Sequence, residues 1–374
     1  MKKLQLVILV TLLLAMSSAV YAELEVVLNE GQFALKNLPK YKRALAFDMA
    51  RMLNDEANWT LISGKLSARN SSIDLVPVVS EAARLFPSRD GDAWAQAVAT
   101  LDAKIRDAKG TADRLDTVLE VRLAFPERGI PINKDVLVAY VPAGNEKNWQ
   151  SIEAFDLAGN IVKLDVHQAP DKQVLVVGLN ARKDLKAGLA LMNDEFTKAG
   201  MQPPMPTNRD GIDVAKLDYI RLNDDQEPWL LGDAESYVLV NGIAPEATKA
   251  SVIAMELPYL VKDKTDYYPN QVLIVWQNYR YKAANLNFYE HDDNTSYKEL
   301  VASLIQAIGQ VATEYQMIAD IASKIIRLMP DSWFSNDDDY VDVYYTLEKG
   351  KTYTKDMGVS RNATITLVPY FIPE

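Results

Sequence analysis

Acidic residues gather in three segments of the C-terminal half of the chain. The segments are NDDQEPWLLGDAESY at 223–237, EHDDN at 290–294 and NDDDYVD at 336–342. Each adjoins a predicted β-strand, and loops gathered at one end of a β-sandwich can bring distant parts of a chain together. Calcium takes about six to eight oxygen ligands, so a site would need carboxylates from more than one of these loops.

We predict a calcium site built from these loops. Its candidate ligands are Asp225, Asp233, Asp292, Asp293, Asp337 and Asp338, with Asn294 as a candidate carbonyl donor. Carboxylates placed side by side repel one another, and a divalent ion would relieve that repulsion. The loops are not EF-hands, because a loop that begins at Asp292 has Tyr297 where glycine is needed and Ser303 where glutamate is needed.

The EHDDN segment also has an interpretation that needs no metal. Ser296 and Glu299 have the spacing of a capping box, so a helix is expected to begin just after the acidic residues. Asp292 and Asp293 would then lie near the positive end of the helix dipole, where each contributes ~0.3–1 kcal/mol. Metal binding and helix capping both remain open for this segment.

A second function hypothesis is a secreted hydrolase that uses two carboxylates, for example on glycans. Such a reaction needs two acids about 5–9.5 Å apart in a cleft, and Glu227 and Glu290 are the first candidates. The chain has two histidines, His167 and His291, and carries neither an HExxH nor a GxSxG motif. We therefore assign no catalytic residue and no reaction.

The first residues have the three parts of a secretory signal peptide. Lys2 and Lys3 form a basic start, and residues 4–16 form an apolar run that is too short for a stable membrane anchor. Small residues then precede Glu23 at the positions that signal peptidases read. The pattern predicts a signal peptide over residues 1–22.

The composition narrows the class of protein further. The chain contains no cysteine, and a chain of this length can bury enough apolar surface to fold without disulfides. Loss of the two leader lysines would leave 38 of the 40 basic residues against 51 acidic residues, a net charge of −13. This charge repels nucleic-acid phosphates. We predict a periplasmic or secreted bacterial protein, without a transmembrane segment after cleavage, that has a non-enzymatic binding or structural role and a protein, a glycan or a surface as its partner.

Apolar periodicity predicts an α+β fold in two domains. Residues 23–200 are expected to form a helical and antiparallel-sheet domain, residues 201–211 a proline-rich linker, and residues 212–374 a β-sandwich. The expected elements of the first domain are helices at 38–57, 92–108 and 184–198, an extended or looped segment at 71–80, and a small antiparallel sheet of five strands between residues 118 and 179.

Seven short alternating segments predict the strands of the sandwich. They are KLDYIRL, AESYVLV, SVIAMEL, QVLIVW, ANLNFYE, YVDVYYT and ATITLV. A helical stripe at 297–328 interrupts them, and Gly309 can divide this insertion into a hairpin. The insertion would either dock a partner helix or cover the open face of the sandwich. The many tyrosines of these strands could form a sugar- or peptide-binding face, or core and rim.

The order IRLNDDQEPWLLGDAESYVLV, ELPYLVKDKTDYYPNQVLIVW, ANLNFYEHDD resembles part of the C-two domains, which are calcium-dependent lipid-binding sandwiches. Asp225 and Asp233 match two aspartates of the first loop of that family. The third loop has EHDD where the family has Asp-x-Asp, and the helical insertion is foreign to it. The resemblance implies calcium-dependent surface binding. The whole chain also resembles an uncharacterised family of exported bacterial proteins, which implies no activity.

Overall fold

The chain is an α+β protein, as the sequence predicts. A computed structural model describes residues 23–144, 148–202, 211–223, 229–232, 235–245, 249–309, 317–328 and 340–373. Helices are concentrated in the N-terminal half and antiparallel sheets in the C-terminal half. The predicted signal peptide and most of the predicted linker lie outside the described residues. Within them, no helix is both long enough and apolar enough to cross a membrane.

The N-terminal half is a six-stranded sheet with helices packed on one face. Its helices are α1 (Glu23–Asn29), α2 (Leu38–Asn54), α3 (Glu56–Lys65), α4 (Leu75–Leu85), α5 (Arg89–Lys109) and α6 (Ala181–Lys198). Its strands are β1 (Ser72–Asp74), β2 (Leu119–Leu123), β3 (Leu137–Ala139), β4 (Ile152–Phe155), β5 (Ile161–Leu164) and β6 (Val174–Leu179). The strand order is β1-β2-β6-β3-β4-β5, in which β3 and β6 pair in parallel and the other neighbours are antiparallel. Helices α1–α5 share one apolar core with this sheet, around Leu45, Trp94 and Val121.

The ends of the helices follow from local chemistry. Helix α5 begins after Ser88, whose side chain accepts a backbone amide hydrogen, and ends at Gly110, which has a φ of 82°. The extended or looped structure predicted for residues 71–80 is wrong beyond Asp74. Helix α4 begins there, and Pro77 lies in its first turn, where its missing amide hydrogen leaves no intrahelical bond unmade.

Two four-stranded antiparallel sheets face each other in the C-terminal half. The strands are β7 (Ile212–Leu222), β8 (Ser236–Ile243), β9 (Ala250–Glu256), β10 (Gln271–Val275), β11 (Ala283–Glu290), β12 (Tyr340–Glu348), β13 (Tyr353–Met357) and β14 (Ala363–Ile372). The first sheet has the order β10-β7-β14-β13 and the second the order β12-β11-β8-β9. Apolar residues from both sheets, such as Leu217 and Phe288, fill the space between them. The sequence pattern does not predict strand β13, because most of its residues are exposed and show no apolar alternation.

The helical insertion covers the outer face of the second sheet. It consists of α7 (Tyr297–Ile308) and α8 (Met317–Leu328), so the predicted division at Gly309 agrees with where α7 ends. Both helices and α6 share an apolar core with Tyr237 and Tyr289 of the second sheet. Of the two uses predicted for the insertion, covering the sandwich is the one observed in this structure.

A row of buried asparagines lies between the second sheet and α8. Asn241 Nδ2 donates to Asn287 Oδ1 at 2.8 Å, and Asn285 Nδ2 donates to Asn241 Oδ1 at 2.8 Å. Asn285 Nδ2 also donates to the Ile318 carbonyl of α8 at 2.7 Å. All three asparagines are fully buried, and buried amides need such partners. Alternation in β11 is therefore correctly predicted, but its polar face is covered by a helix and not by water.

Candidate functional site

The EHDDN segment links strand β11 to helix α7. The capping box predicted for it is present in part, because Ser296 Oγ accepts from the Glu299 amide at 3.4 Å. Asp292 Oδ1 accepts from the Asn294 amide at 2.7 Å and closes the turn. The rest of the segment reaches the N-terminal half of the molecule, since Ser296 Oγ also donates to the Ala108 carbonyl at 2.9 Å.

Asp293 forms an ion pair with Lys42 of helix α2. The Lys42 Nζ and Asp293 Oδ2 atoms are 2.9 Å apart, and the two side chains are 4% and 22% exposed. Burial works against ionisation of this carboxyl, but the ammonium of Lys42 together with the charges of His291 and Lys109 outweighs burial and holds the pKa of Asp293 below its ordinary value. This carboxylate therefore already has a cation beside it.

A second buried group of charges lies beside the first. Asp184 Oδ2 is 2.8 Å from Lys109 Nζ and 2.7 Å from His291 Nε2, and none of these side chains is more than 3% exposed. Lys109 Nζ also donates to the Thr295 carbonyl at 2.9 Å. We refer to Lys42, Lys109, Asp184, His291 and Asp293 as the junction cluster, because they join α2, α5 and α6 to the β11–α7 loop.

The protonation of His291 sets the net charge of the junction cluster. Burial disfavours the imidazolium, but its hydrogen bond with Asp184 and the charge of that carboxylate together raise the pKa of His291. With His291 protonated, three cations surround the carboxylates of Asp184 and Asp293. This balance favours a structural ion cluster at this position, because a calcium ion would add charge to a group that is already cationic.

The first acidic segment also contacts the N-terminal half. Trp229 Nε1 donates to the Asp165 carbonyl at 3.0 Å, and its ring packs on Phe125 with centroids 5.0 Å apart. Leu230 is fully buried on the face of the N-terminal sheet opposite the helices. Arg122 donates to the neighbouring Leu231 carbonyl at 2.9 Å. The described part of this segment therefore fastens the two halves at a second place.

Asp342, the last residue of the third acidic segment, is a buried structural carboxylate. Asp342 Oδ1 accepts from the Val343 and Ser360 amides, each at 2.8 Å. Its Oδ2 accepts from the Asn362 and Ala363 amides at 2.9 and 2.8 Å. Burial raises the pKa of Asp342, and the amide donors offset part of that effect. Asp342 was not among the predicted ligands, and these donors already account for both of its oxygens.

The calcium hypothesis stays a prediction. Of its candidate ligands, Asp225, Asp233, Asp337 and Asp338 lie outside the described residues. Asp292 and Asp293 are neighbours in the β11–α7 loop, where Asp293 is held by Lys42. Within the described ranges, no group of three or more His, Asp or Glu side chains could hold a metal ion. A site at this loop would thus need Asp292 together with ligands from the other acidic segments.

The hydrolase hypothesis is equally untested, since Glu227 lies outside the described residues. A different constellation of hydrolase type, Ser236 with His291 and Asp184, can be judged from the strand register. Ser236 pairs with Glu290, whereas His291 is the next residue and donates its amide to the Glu235 carbonyl. Because successive side chains of a strand point to opposite faces, Ser236 and His291 lie on different faces of the sheet. These residues do not form a nucleophile and base pair.

The outer face of the first sheet carries exposed aromatic rings and lysines. Tyr268 and Tyr370 are 65% and 48% exposed. Lys355 Nζ lies 5.2 Å from the ring centre of Tyr219, and Lys216 Nζ lies 4.7 Å from that of Tyr370. The rings of Tyr219 and Tyr268 pack at 5.6 Å between centroids. We call these five residues the Tyr–Lys face.

Two uncommon backbone conformations position the lysines of the Tyr–Lys face. Lys355 has a φ of 48° and lies at an irregularity in the pairing of β13 with β14, where its amide donates to Thr366 Oγ1 at 3.0 Å. Asn270 has a φ of 53°, and its Oδ1 accepts from Lys216 Nζ at 3.0 Å. Bulges redirect side chains, and non-glycine residues with positive φ are enriched at binding sites.

Sequence reasoning missed most of the residues in these two places. It did not single out Lys42, Lys109 or Asp184 of the junction cluster. A signal was available, because Lys42 and Lys109 lie four residues after the apolar Leu38 and Ile105, on the buried stripes of their helices. A lysine on such a stripe needs a buried partner.

These features define the class of protein. A β-sandwich has one face covered by helices and one open face, and buried ion pairs between side chains join it to the N-terminal half. The chain belongs to the family described as Protein of unknown function (DUF3103), whose model matches residues 42–374. The predicted membership of an uncharacterised family is thereby confirmed. Neither the curated proteins nor the solved structures contain a match to this chain.

Proposed function

We propose that the chain is an exported, non-enzymatic binding protein whose Tyr–Lys face binds an acidic polysaccharide. The observation that carries the proposal is the position of Lys216 and Lys355 over tyrosine rings on an open sheet face. Among the described residues, neither lysine forms an ion pair with a carboxylate, which leaves both ammonium groups for an anionic partner.

The chemistry of the face fits uronic acid chains. Tyr268 and Tyr370 offer exposed aromatic surface on which the apolar side of a sugar ring can stack. The lysines beside them can each pair with a carboxylate of the same chain, and a cation–π contact with tyrosine holds each ammonium in place. The surrounding protein carries a net charge of −11, so an anionic partner is repelled elsewhere and is directed to this face.

The proposal is tested by electrophoresis in native gels that contain either a polyuronate or a neutral glucan. We expect the polyuronate to retard the protein, the glucan to leave it unaffected, and the variant K216E/K355E to lose the retardation. The variant K36E/K186E is the matched control, because it makes the same charge change at exposed lysines remote in sequence from the face. Equal retardation by the glucan would overturn the assignment of the partner. Binding to a resin that carries an acidic peptide, without retardation by the polyuronate, would overturn it as well.

Calcium binding is a separate proposal, supported by the convergence of acidic segments in the sequence. Asp292 supports it within the described residues, because its side chain is partly exposed and no lysine is paired with it. Asp293 would contribute only if calcium displaced Lys42. A rise in melting temperature with calcium, and its loss in D292N, tests this part independently of polysaccharide binding.

A further inference from the structure

The first described residues are tied to a buried carboxylate of helix α2. Asp48 Oδ2 accepts from the Leu24 amide at 2.9 Å, and Asp48 Oδ1 lies 3.3 Å from the Glu23 nitrogen. Asp48 and Leu24 are fully buried. The Glu23 side chain is held as well, because its Oε1 lies 2.7 Å from Arg43 Nη1. Three contacts therefore hold the start of α1, two with Asp48 and one with Arg43.

Among the residues that the structure describes, Asp48 forms no ion pair while Glu23 is in a peptide bond. Burial raises its pKa to about 7, although the Leu24 and Glu23 amides and the more distant Arg51 act in the opposite direction. The carboxylate of Glu23 adds repulsion. A cation at the Glu23 nitrogen would remove the cost of ionising Asp48, and a free α-amino group is such a cation below a pKa of about 8.

We propose that proteolytic processing before Glu23 creates an ammonium group that forms an ion pair with Asp48. An endopeptidase of the signal-peptidase class would hydrolyse the Ala22–Glu23 peptide bond with one water molecule. Ala22 leaves with the new carboxylate, and Glu23 gains the amino group, which takes up a proton. The inference rests on the export that is part of the proposed function, because that export provides the protease.

The position of the cut decides whether this ion pair can form. The Glu23 nitrogen is the one within 3.3 Å of Asp48 Oδ1, so the ammonium must be on that residue. A start one residue earlier would replace the ammonium with a neutral amide and carry the charge about 3.5 Å further along the chain. Processing would in this way couple removal of the leader to stabilisation of the mature fold.

Four purified chains test the inference: one that begins at Glu23, one that begins at Ala22, and the D48N variant of each. We expect the chain that begins at Glu23 to melt several degrees higher near pH 7 than the one that begins at Ala22. We expect D48N to remove this difference. Two chains with equal melting temperatures, or a difference that survives D48N, would overturn the ion pair.

The dependence of melting on pH provides a second readout that does not rely on the Asp48 variant. In the chain that begins at Ala22, the raised pKa of Asp48 should make stability fall as pH rises from about 4 to about 7. The chain that begins at Glu23 should lose this fall, and identical profiles would contradict the ion pair. Mass spectrometry of the exported protein tests the cut separately, because a different N-terminus would refute the processing site without affecting the comparison of purified chains.

Discussion

Lys42 and Asp293 are 251 positions apart in the chain and form an ion pair 2.9 Å long at the junction of the two halves. In sequence, the acidic segment around Asp293 resembles a cation-binding loop. In the structure, its ion pair with Lys42 connects helix α2 to the sandwich. With Asp184, Lys109 and His291 beside it, the junction contains its own cations. The halves are therefore expected to unfold as one cooperative unit.

Removal of Lys42 should be strongly destabilising. The change Lys42→Ala leaves Asp293 without its nearest cation, and breaking a buried pair on one side costs about 3–5 kcal/mol. We expect the low end, because Asp293 is 22% exposed. The matched control is Lys40→Ala, since the pair of Lys40 with Glu30 is more than half exposed and should contribute less than about 1 kcal/mol. Urea unfolding measures both variants, and equal losses would contradict a structural role for the pair.

The double variant K42M/D293L should recover much of the stability that either single change loses. Replacing both partners of a buried ion pair by apolar groups leaves no uncompensated charge and is often neutral. The same urea titrations complete a double-mutant cycle. A double variant that loses the sum of the two single losses would show that Lys42 and Asp293 do not interact energetically.

Protonation of His291 should stabilise the fold. Its pKa is raised in the folded chain, so the stabilisation is fully present below the unfolded value of about 6.5 and is lost as pH rises through the higher folded value. The charged groups that act on this ring are Asp184, Lys109 and Asp293. We expect the melting temperature of the parent to fall in this range more steeply than that of His291→Gln. The control is His167→Gln, which makes the same change at an exposed histidine.

Gly358 should be essential to the loop that surrounds Asp342. A Cβ atom at Gly358 would lie 2.1 Å from Asp342 Cγ, and this carboxylate already accepts four backbone amides. Gly358→Ala should therefore destabilise the protein by about 1–3 kcal/mol. Gly64→Ala is the control, because nothing lies within 4 Å of its added Cβ and alanine favours a helix. Thermal melting with equal effects for the two changes would refute the tight fit.

Calcium should raise the melting temperature if the acidic segments form a site. A ligand at a concentration 100 times its Kd stabilises the native state by about 2.7 kcal/mol. We expect that shift to disappear with a chelator and in the variants D225N and D292N. The variant D293N should be destabilised even without calcium, because it leaves Lys42 unpaired. No shift at millimolar calcium would count against the site.

The parts of the fold that sequence could predict are those set by local pattern. Alternation in ANLNFYE correctly predicted strand β11, whose Leu286 and Phe288 lie in the sandwich core. The spacing of Ser296 and Glu299 correctly predicted the start of α7. The alternating pattern of β11 could not reveal that Asn287 faces a helix, because Ala322, which contacts Asn287, is distant in sequence and belongs to the insertion.

The candidate sites depended on long-range contacts that no local pattern encodes. The acidic loop of Asp293 looks the same in sequence whether its partner is a metal ion or Lys42. The Tyr–Lys face combines residues from β7, β13, β14 and the loop before β10, and no local sequence pattern groups these residues. Tyr219 and Tyr370 could be placed beside the lysines only once the strand register was known.

The most direct test of the central claim is calorimetric titration of the protein with a hexasaccharide of a uronic acid and with the same sugar after its carboxylates are reduced to alcohols. The account predicts binding of the acidic sugar that weakens with added salt, and binding at least about tenfold weaker for the reduced sugar, a difference of about 1.4 kcal/mol. Equal affinity for the two sugars, or unchanged binding of the acidic sugar by K216E/K355E, would contradict it.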